Sequence, residues 1–289
     1  MNVSSFKTFN AKILLFGEHL INLGSDALSI PYPQFHGKLQ KTEDKDSRLL
    51  PFLNFLRSSQ FSFLDELKLS TNNSLKFSSN IPEGYGSGSS GAIVASCYDH
   101  FRTDNIIDPK TLRERFSKME AFYHGKSSGT DPLISYLDTA IKFNSDDSID
   151  IIPELNTSFE NYSLILVDSG RSREGKEYIK WFLSRLKGRK FVSILAETLV
   201  PATHNCIESY LTSSETDFRD SFAIISNIQS EHMGKLIPDN MKSLWASGQR
   251  SGDLYLKICG AGGGGFFIGL IQKDAQLPEL AKFKTYSLS

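Results

Sequence analysis

The sequence predicts an α+β protein of two domains. Three observations carry that prediction. Short apolar runs, such as Ile13-Leu14-Leu15-Phe16 and residues 162–167, read as buried strands. Elsewhere apolar residues recur at helical spacing, as at Leu112, Phe116, Met119 and Tyr123. The chain has 289 residues, enough for two ordinary domains or one large one, and a polar stretch at 144–150 precedes a new strand. The boundary is expected near residues 153–160, dividing the chain into 1–155 and 156–289.

The elements follow in order. Residues 11–17 form the first strand. Residues 61–69 and 75–81 read as paired strands joined by a turn at Asn72-Asn73. Ser89 or Ser90 caps a helix running through Ala92, Val94 and Tyr98. Asp108-Pro109 opens another helix, with Asp as cap and Pro in the first turn, and Gly125 ends it. Residues 174–186 are amphipathic, with Tyr178, Trp181, Phe182 and Leu186 on one face and Gly188 as the stop. Residues 254–259 and 266–271 are two strands around a glycine run.

Composition excludes several function classes. The net charge is −1, so no basic bias points to nucleic acid or an anionic membrane. The local cluster Lys187-Gly188-Arg189-Lys190 reads as a solvated helix end. Three widely spaced cysteines, Cys97, Cys206 and Cys259, give neither a disulfide framework nor a zinc pattern, as expected of a reduced cytosol. No apolar run approaches the roughly 20 residues that span a bilayer. A cytoplasmic protein is expected.

Four segments carry chemistry. Residues 81–92, Ile-Pro-Glu-Gly-Tyr-Gly-Ser-Gly-Ser-Ser-Gly-Ala, pack four glycines and three serines before a helix start. Glycine lets successive N–H groups converge on phosphate oxygens, and the helix N-terminus adds positive potential. The Gly-Lys-Ser/Thr ending of a P-loop is absent. Taken alone, the segment also fits a linker. Lys12 leads an apolar strand that exits at Gly17-Glu18-His19; alone, Lys12 also fits a solvated strand end. Residues 120–131 bring Glu120 and Asp131 within reach of each other across a small-residue loop, although Asp131 also fits a helix cap before Pro132. Five of the six residues from 260 to 265 are glycine, more than a hairpin needs, which points to a close backbone approach.

The four segments in this order resemble the GHMP kinase superfamily, and within it the mevalonate kinase members. Lys12 to His19 is similar to the family's Lys-(apolar)-Gly-Glu-His opening. Residues 81–92 resemble its Pro-x-Gly-x-Gly-Leu-Gly-Ser-Ser-Ala loop, residues 124–131 its His-Gly-Asn-Pro-Ser-Gly-x-Asp segment, and residues 260–265 its closing glycine run.

The resemblance implies a two-domain α+β GHMP kinase fold, with an N-terminal nucleotide-binding domain and a C-terminal ferredoxin-like domain. It implies ATP and Mg²⁺ as cofactors and mevalonate or a related alcohol as substrate, and leaves room for a homodimer. Asp131 would be catalytic with Lys12 as partner, since a nearby ammonium favours an ionised carboxylate. Gly84, Gly86, Ser87, Gly88, Ser89 and Ser90 would cradle the phosphates. Ser90 and Glu120 would hold Mg²⁺, with Ser89 the alternative. Glu18 and His19 would border the substrate.

The sequence departs from the family pattern in places. Ser87 stands for Leu, Gly91 for Ala, and Lys126-Ser127 for Asn-Pro. The first two changes are expected to loosen the loop. Kinases for phosphomevalonate or a sugar are the alternative, although the opening differs from the Asn-Leu-Ile-Gly-Glu-His-Thr-Asp type of galactokinases. A non-catalytic nucleotide binder is disfavoured because Lys12, Glu120 and Asp131 are all present.

Overall fold

The computed structural model describes residues 6–20, 23–43, 46–71, 74–155, 157–172 and 175–288. The first strand, β1 (Thr8–Phe16), starts three residues earlier than the apolar run suggests, and it buries Phe9, Ala11, Ile13, Leu15 and Phe16. It is a sheet neighbour of β2 (Ala27–Lys41), a strand the sequence reading did not foresee. The β2 pattern alternates only over its second half and includes two prolines, Pro31 and Pro33, which hides it from a periodicity test.

Two compact units emerge, interleaved along the chain. The first comprises residues 1–13, 30–82 and 87–139; the second comprises 14–29, 83–86 and 140–289.

In the first unit, β2 pairs antiparallel with β3 (Leu75–Ser79), from Gly37 opposite Ser79 to Lys41 opposite Leu75. The expected hairpin between 61–69 and 75–81 does not form. Residues 66–71 are a short helix, α2, because the Asp65 side chain accepts from Lys68 N at 2.9 Å and starts a helical turn. The proposed turn at Asn72-Asn73 lies outside the described residues. Helices α1 (Leu49–Ser59), α3 (Ser89–Phe101), α4 (Pro109–His124) and α5 (Thr130–Leu137) complete the unit.

Helix α4 starts as expected, with Asp108 accepting from Thr111 N at 2.8 Å and Pro109 in the first turn. It ends at Gly125, φ 75°. Its buried face of Leu112, Phe116 and Met119 meets Tyr98 of α3, whose ring lies 5.0 Å from Phe116. The start of α3 differs from expectation. Its cap position is Gly88, with no side-chain cap, and the Ser90 hydroxyl turns to Glu120 instead.

In the second unit, Ala27 to Ser29 of β2 pair with β4 (Ala140–Phe143), which forms a hairpin with β5 (Ile149–Ile152). The polar stretch 144–150 supplies the turn of that hairpin and the first residues of β5. A separate antiparallel sheet has the order β7 (Leu254–Ile258), β8 (Phe266–Gln272), β6 (Tyr162–Asp168), β9 (Thr285–Ser287). Numbered within the sheet this is 2-3-1-4, the ferredoxin-like order. A single 3-10 turn at Leu280–Lys282 replaces the usual second helix.

Between β6 and β7 lie α6 (Gly175–Arg185), α7 (Arg189–Ile194), α8 (Val200–Leu211), α9 (Glu215–His232) and α10 (Asp239–Ser251). The segment Leu195–Leu199 joins α7 to α8 as one wide π turn. Pro201, the second residue after it, has no N–H to extend the ordinary ladder. Helix α6 ends at Arg185, before the expected stop at Gly188, which instead takes the cap position of α7. Phe16, Phe159, Tyr210, Phe218 and Phe222 form an aromatic cluster, with Phe218 stacked 4.7 Å from Phe159 and edge-on to Phe16 at 5.9 Å. Cys97, Cys206 and Cys259 are buried and form no disulfide. Among the described residues, no helix is long and apolar enough to cross a membrane.

Phe218 is fully buried, so Phe218→Ala should cost about 3–5 kcal/mol by deleting ring contacts and leaving a cavity. Urea unfolding should show this as a lower midpoint with little change in slope.

Candidate active site

Lys12 is a buried strand residue, 6% exposed. It shares the face of β1 that carries the half-buried Asn10 and Leu14, yet it is itself buried, against the reading of a solvated strand end. Its Nζ lies 2.8 Å from Asp131 Oδ1. Asp131 sits in the first turn of α5 and does not cap it; the cap position is Gly129.

Glycines permit this arrangement. Gly88 has φ 79°, and a Cβ there would lie 2.8 Å from Lys12 Cγ. The lysine stem thus crosses directly over the loop, and Lys12 N donates to Ser87 O at 3.0 Å. Gly91 is in helix α3, and a Cβ there would sit 2.8 Å from the Asp131 carbonyl carbon. This corrects the expectation that Gly91 loosens the loop: glycine here lets α3 approach the start of α5. Gly129 has φ 72°, and a Cβ would meet Arg113 O at 2.1 Å, so only glycine fits beneath α4.

Glu120, on the last turns of α4, is 4% exposed. Its Oε1 accepts from Ser90 Oγ at 3.1 Å, and its Oε2 accepts from Ser127 Oγ. Ser127 Oγ also accepts from Gly129 N at 3.0 Å. The residue that stands for proline in the family pattern therefore orders the loop and holds Glu120. Ser90 Oγ is also 3.1 Å from His124 Nε2. Burial pushes the Glu120 carboxyl up to about 7, and the nearby Asp131 charge adds to this. The Ser127 and Ser90 hydroxyls and the Lys12 ammonium offset part of that shift.

Of the expected loop residues, Ser87, Gly88, Ser89 and Ser90 lie in the first unit. Ser87 is 2% exposed and its hydroxyl donates to Pro82 O at 3.3 Å. Gly84 and Gly86 take positive φ, 76° and 73°, and belong to the second unit.

Glu18 and His19 also stand in the second unit. His19 has φ 66°, and its ring stacks 4.6 Å from Phe182. Glu18 is buried against Lys257, with Oε1 2.8 Å from Nζ. These residues border a cavity of about 310 Å³ that Leu14, Ile179, Phe182, Leu183 and Leu186 also line. The glycine run has the close approaches that its composition demands. A Cβ at Gly263 would overlap the Tyr178 ring, and one at Gly265 would lie 2.8 Å from Tyr85 O.

Sequence reasoning missed Ser127, His124, Gln229 and Lys257. Ser127 carried a signal, a hydroxyl two residues before an obligatory glycine. Lys257 carried a weaker one, a lone charge inside an apolar strand.

Residues 54–139 match the family of GHMP kinases N terminal domain. A mevalonate kinase from Pyrococcus abyssi is 22% identical, over 90% of this chain and 86% of its own length. The crystal structure of L. major mevalonate kinase in complex with R-mevalonate superposes with a TM-score of 0.68 at 15% identity, covering 99% of this chain and 96% of that one. Streptococcus pneumoniae phosphomevalonate kinase, in complex with phosphomevalonate and AMPPNP, gives 0.69 at 13% identity, covering 98% of both chains. The fold is that of the GHMP kinases, as the sequence resemblance implied.

The raised Glu120 carboxyl has a consequence for stability. Its folded-state value, about 7, exceeds the ordinary 4.5, so folding favours the protonated form. That contribution is full below pH 4.5 and is lost as pH rises through 7. Thermal unfolding of metal-free protein should show Tm declining across this window, and Glu120→Gln should flatten the decline.

Proposed function

We propose that this chain, which carries the GHMP kinase N-terminal domain within a GHMP kinase fold, transfers the γ-phosphoryl group of ATP to the primary hydroxyl of (R)-mevalonate, giving 5-phosphomevalonate. The observation that carries the reading is the Lys12–Asp131 pair at 2.8 Å, set at the end of a glycine-serine loop and beside the buried Glu120–Ser90 pair.

Phosphoryl transfer depends on positioning and charge stabilisation more than on covalent work by the protein. In this reading Asp131 orients the acceptor hydroxyl and receives its proton. Lys12, 2.8 Å from Asp131, holds its carboxylate in place and offsets charge that develops on the hydroxyl oxygen. The loop amides and hydroxyls of Gly84, Gly86, Ser87, Gly88, Ser89 and Ser90 hold the phosphates.

The donor set fits Mg²⁺. A carboxylate and a hydroxyl are hard oxygen ligands, and a buried carboxyl raised by a neighbouring negative charge is relieved by a divalent cation. Among the described residues, no group of three or more His, Cys, Asp and Glu side chains is placed to hold a metal alone. Mg²⁺ commonly needs only one or two carboxylates together with substrate phosphates. Glu120 and Ser90 would hold it, and Ser90 is preferred over Ser89 because its hydroxyl already touches Glu120. Bound Mg²⁺ would neutralise phosphate charge. The same proposal places the protein in isoprenoid synthesis in the cytoplasm, with family domains at residues 1–155 and 156–289.

The second reading is phosphomevalonate as acceptor, favoured by the equally good superposition on the phosphomevalonate kinase. A coupled assay with mevalonate, phosphomevalonate, galactose and homoserine separates the two. Turnover of mevalonate at least tenfold above the others is expected, and turnover of another acceptor alone would reject the substrate assignment. Asp131→Ala should lower kcat by several orders of magnitude with an unchanged circular dichroism spectrum. Lys12→Met should lower kcat far more than it raises KM for ATP; the reverse pattern would make Lys12 a nucleotide contact.

A further inference from the structure

Helix α4 grips the loop that follows it with one face. Arg113, Ser117, Glu120 and His124 recur at helical spacing, which places them along one side of the helix. Arg113 Nε donates to Ser128 O at 3.1 Å, and Ser117 Oγ donates to Ser127 O at 2.6 Å. Gly129 packs against the same face, where a Cβ would lie 2.7 Å from Ser117 N. The loop backbone is therefore tied to α4 on either side of the Ser127 side chain.

On that frame the two oxygens of the Glu120 carboxylate differ. Oε1 accepts from Ser90 Oγ at 3.1 Å, and that hydroxyl is shared with His124 Nε2, also at 3.1 Å. Oε2 accepts from Ser127 Oγ, which in turn accepts from Gly129 N at 3.0 Å. The Ser127 hydroxyl has a single proton, directed at Oε2, and its oxygen is fixed by a backbone donor. The Ser90 hydroxyl has no such anchor and can turn its oxygen toward a cation. Ser90, Arg113, Ser117, Glu120, His124, Ser127 and Gly129 all belong to the first unit. The proline that the family pattern has at 127 carries no hydroxyl and would leave Oε2 without this donor.

We propose that Ser127 is a positioning residue that makes Glu120 a one-oxygen metal ligand: it occupies Oε2, leaves Oε1 and Ser90 to face the cation, and so favours Mg²⁺ over Ca²⁺. The proposal rests on the kinase reading above, in which Glu120 and Ser90 hold Mg²⁺. Mg²⁺ draws most of its octahedral oxygens from water and phosphate, so one carboxylate oxygen suffices. Ca²⁺ takes roughly six to eight oxygens and readily engages both of a carboxylate's. A fixed donor on Oε2 works against that second mode. Ser127 itself does not touch the cation.

The test uses the full-length protein with MgCl₂ or CaCl₂ as the sole divalent salt and reads the concentration at half of the rise in Tm. The unaltered protein should respond to Mg²⁺ at a concentration about fivefold or more below that for Ca²⁺, and Glu120→Gln should remove the Mg²⁺ response. Ser127→Ala should bring the two concentrations within about twofold of each other, and Ser127→Thr, which keeps the hydroxyl, should restore the difference. Ser117→Ala is the control for a loosened loop. It removes a backbone tie and leaves the Ser127 hydroxyl, so it should lower Tm without changing the preference.

An unchanged preference in Ser127→Ala, an equal change in Ser117→Ala, or a Mg²⁺ response that survives Glu120→Gln would overturn the role assigned to Ser127. The acceptor assay answers separately for the kinase reading. If the unaltered protein phosphorylates none of the alcohols while the Ser127-dependent preference holds, the kinase reading fails and the metal-positioning role stands.

Discussion

The Lys12–Asp131 pair depends on atoms that are missing. Two long-range partners, one on the first strand and one on α5, meet at 2.8 Å because three backbone positions carry no Cβ. At Gly88 the lysine stem occupies the space of a side chain, at Gly91 the start of α5 does, and at Gly129 the backbone of α4 does. Any one of these filled would push an element outward by a few tenths of an ångström or more. A charge pair is sensitive to such shifts because its directional hydrogen bond weakens faster than its Coulomb attraction. The glycines thus have a geometric role besides any approach to phosphate.

Two ion pairs, one in each unit, are built for opposite ends. Lys12–Asp131 remains open on the carboxylate side, where Asp131 is 32% exposed and free to meet a ligand. Glu18–Lys257 is sealed, and it is stabilised through Gln229 and the Ile258 backbone instead of by solvent. Sealed pairs gain little net stability, because desolvation consumes most of the Coulomb energy. Their value is a fixed geometry. That of the open pair is chemistry.

Much of the site was legible in sequence and much of the fold was not. Lys12, Ser90, Glu120 and Asp131 were singled out through the resemblance of four ordered segments to one family, since Lys12 and Asp131 taken alone also fit ordinary structural roles, and the structure brings the four side chains together. The β7–β8 pair was legible because both strands are apolar runs broken by glycine. The error at 61–69 arose where local capping by Asp65 overrode a strand-like composition. Strand β2 was hidden by its prolines, and the helices after residue 188 by mixed burial that blurs their period. Lys257 and Gln229 were invisible because their meaning lies in partners 239 and 211 positions away, at Glu18.

The interleaving of the two units also bears on how the chain acquires its structure during synthesis. Every residue of the first unit has been made once Thr139 is in place. That unit can condense while the rest is still being translated. The second needs residues 14–29 as well as β7 and β8 near the far end, so its early residues wait for nearly the whole chain. High contact order slows such closure, and the exposed apolar strand in the meantime is a target for chaperones. Glu18 is made well before its partner Lys257, 239 positions further along the chain.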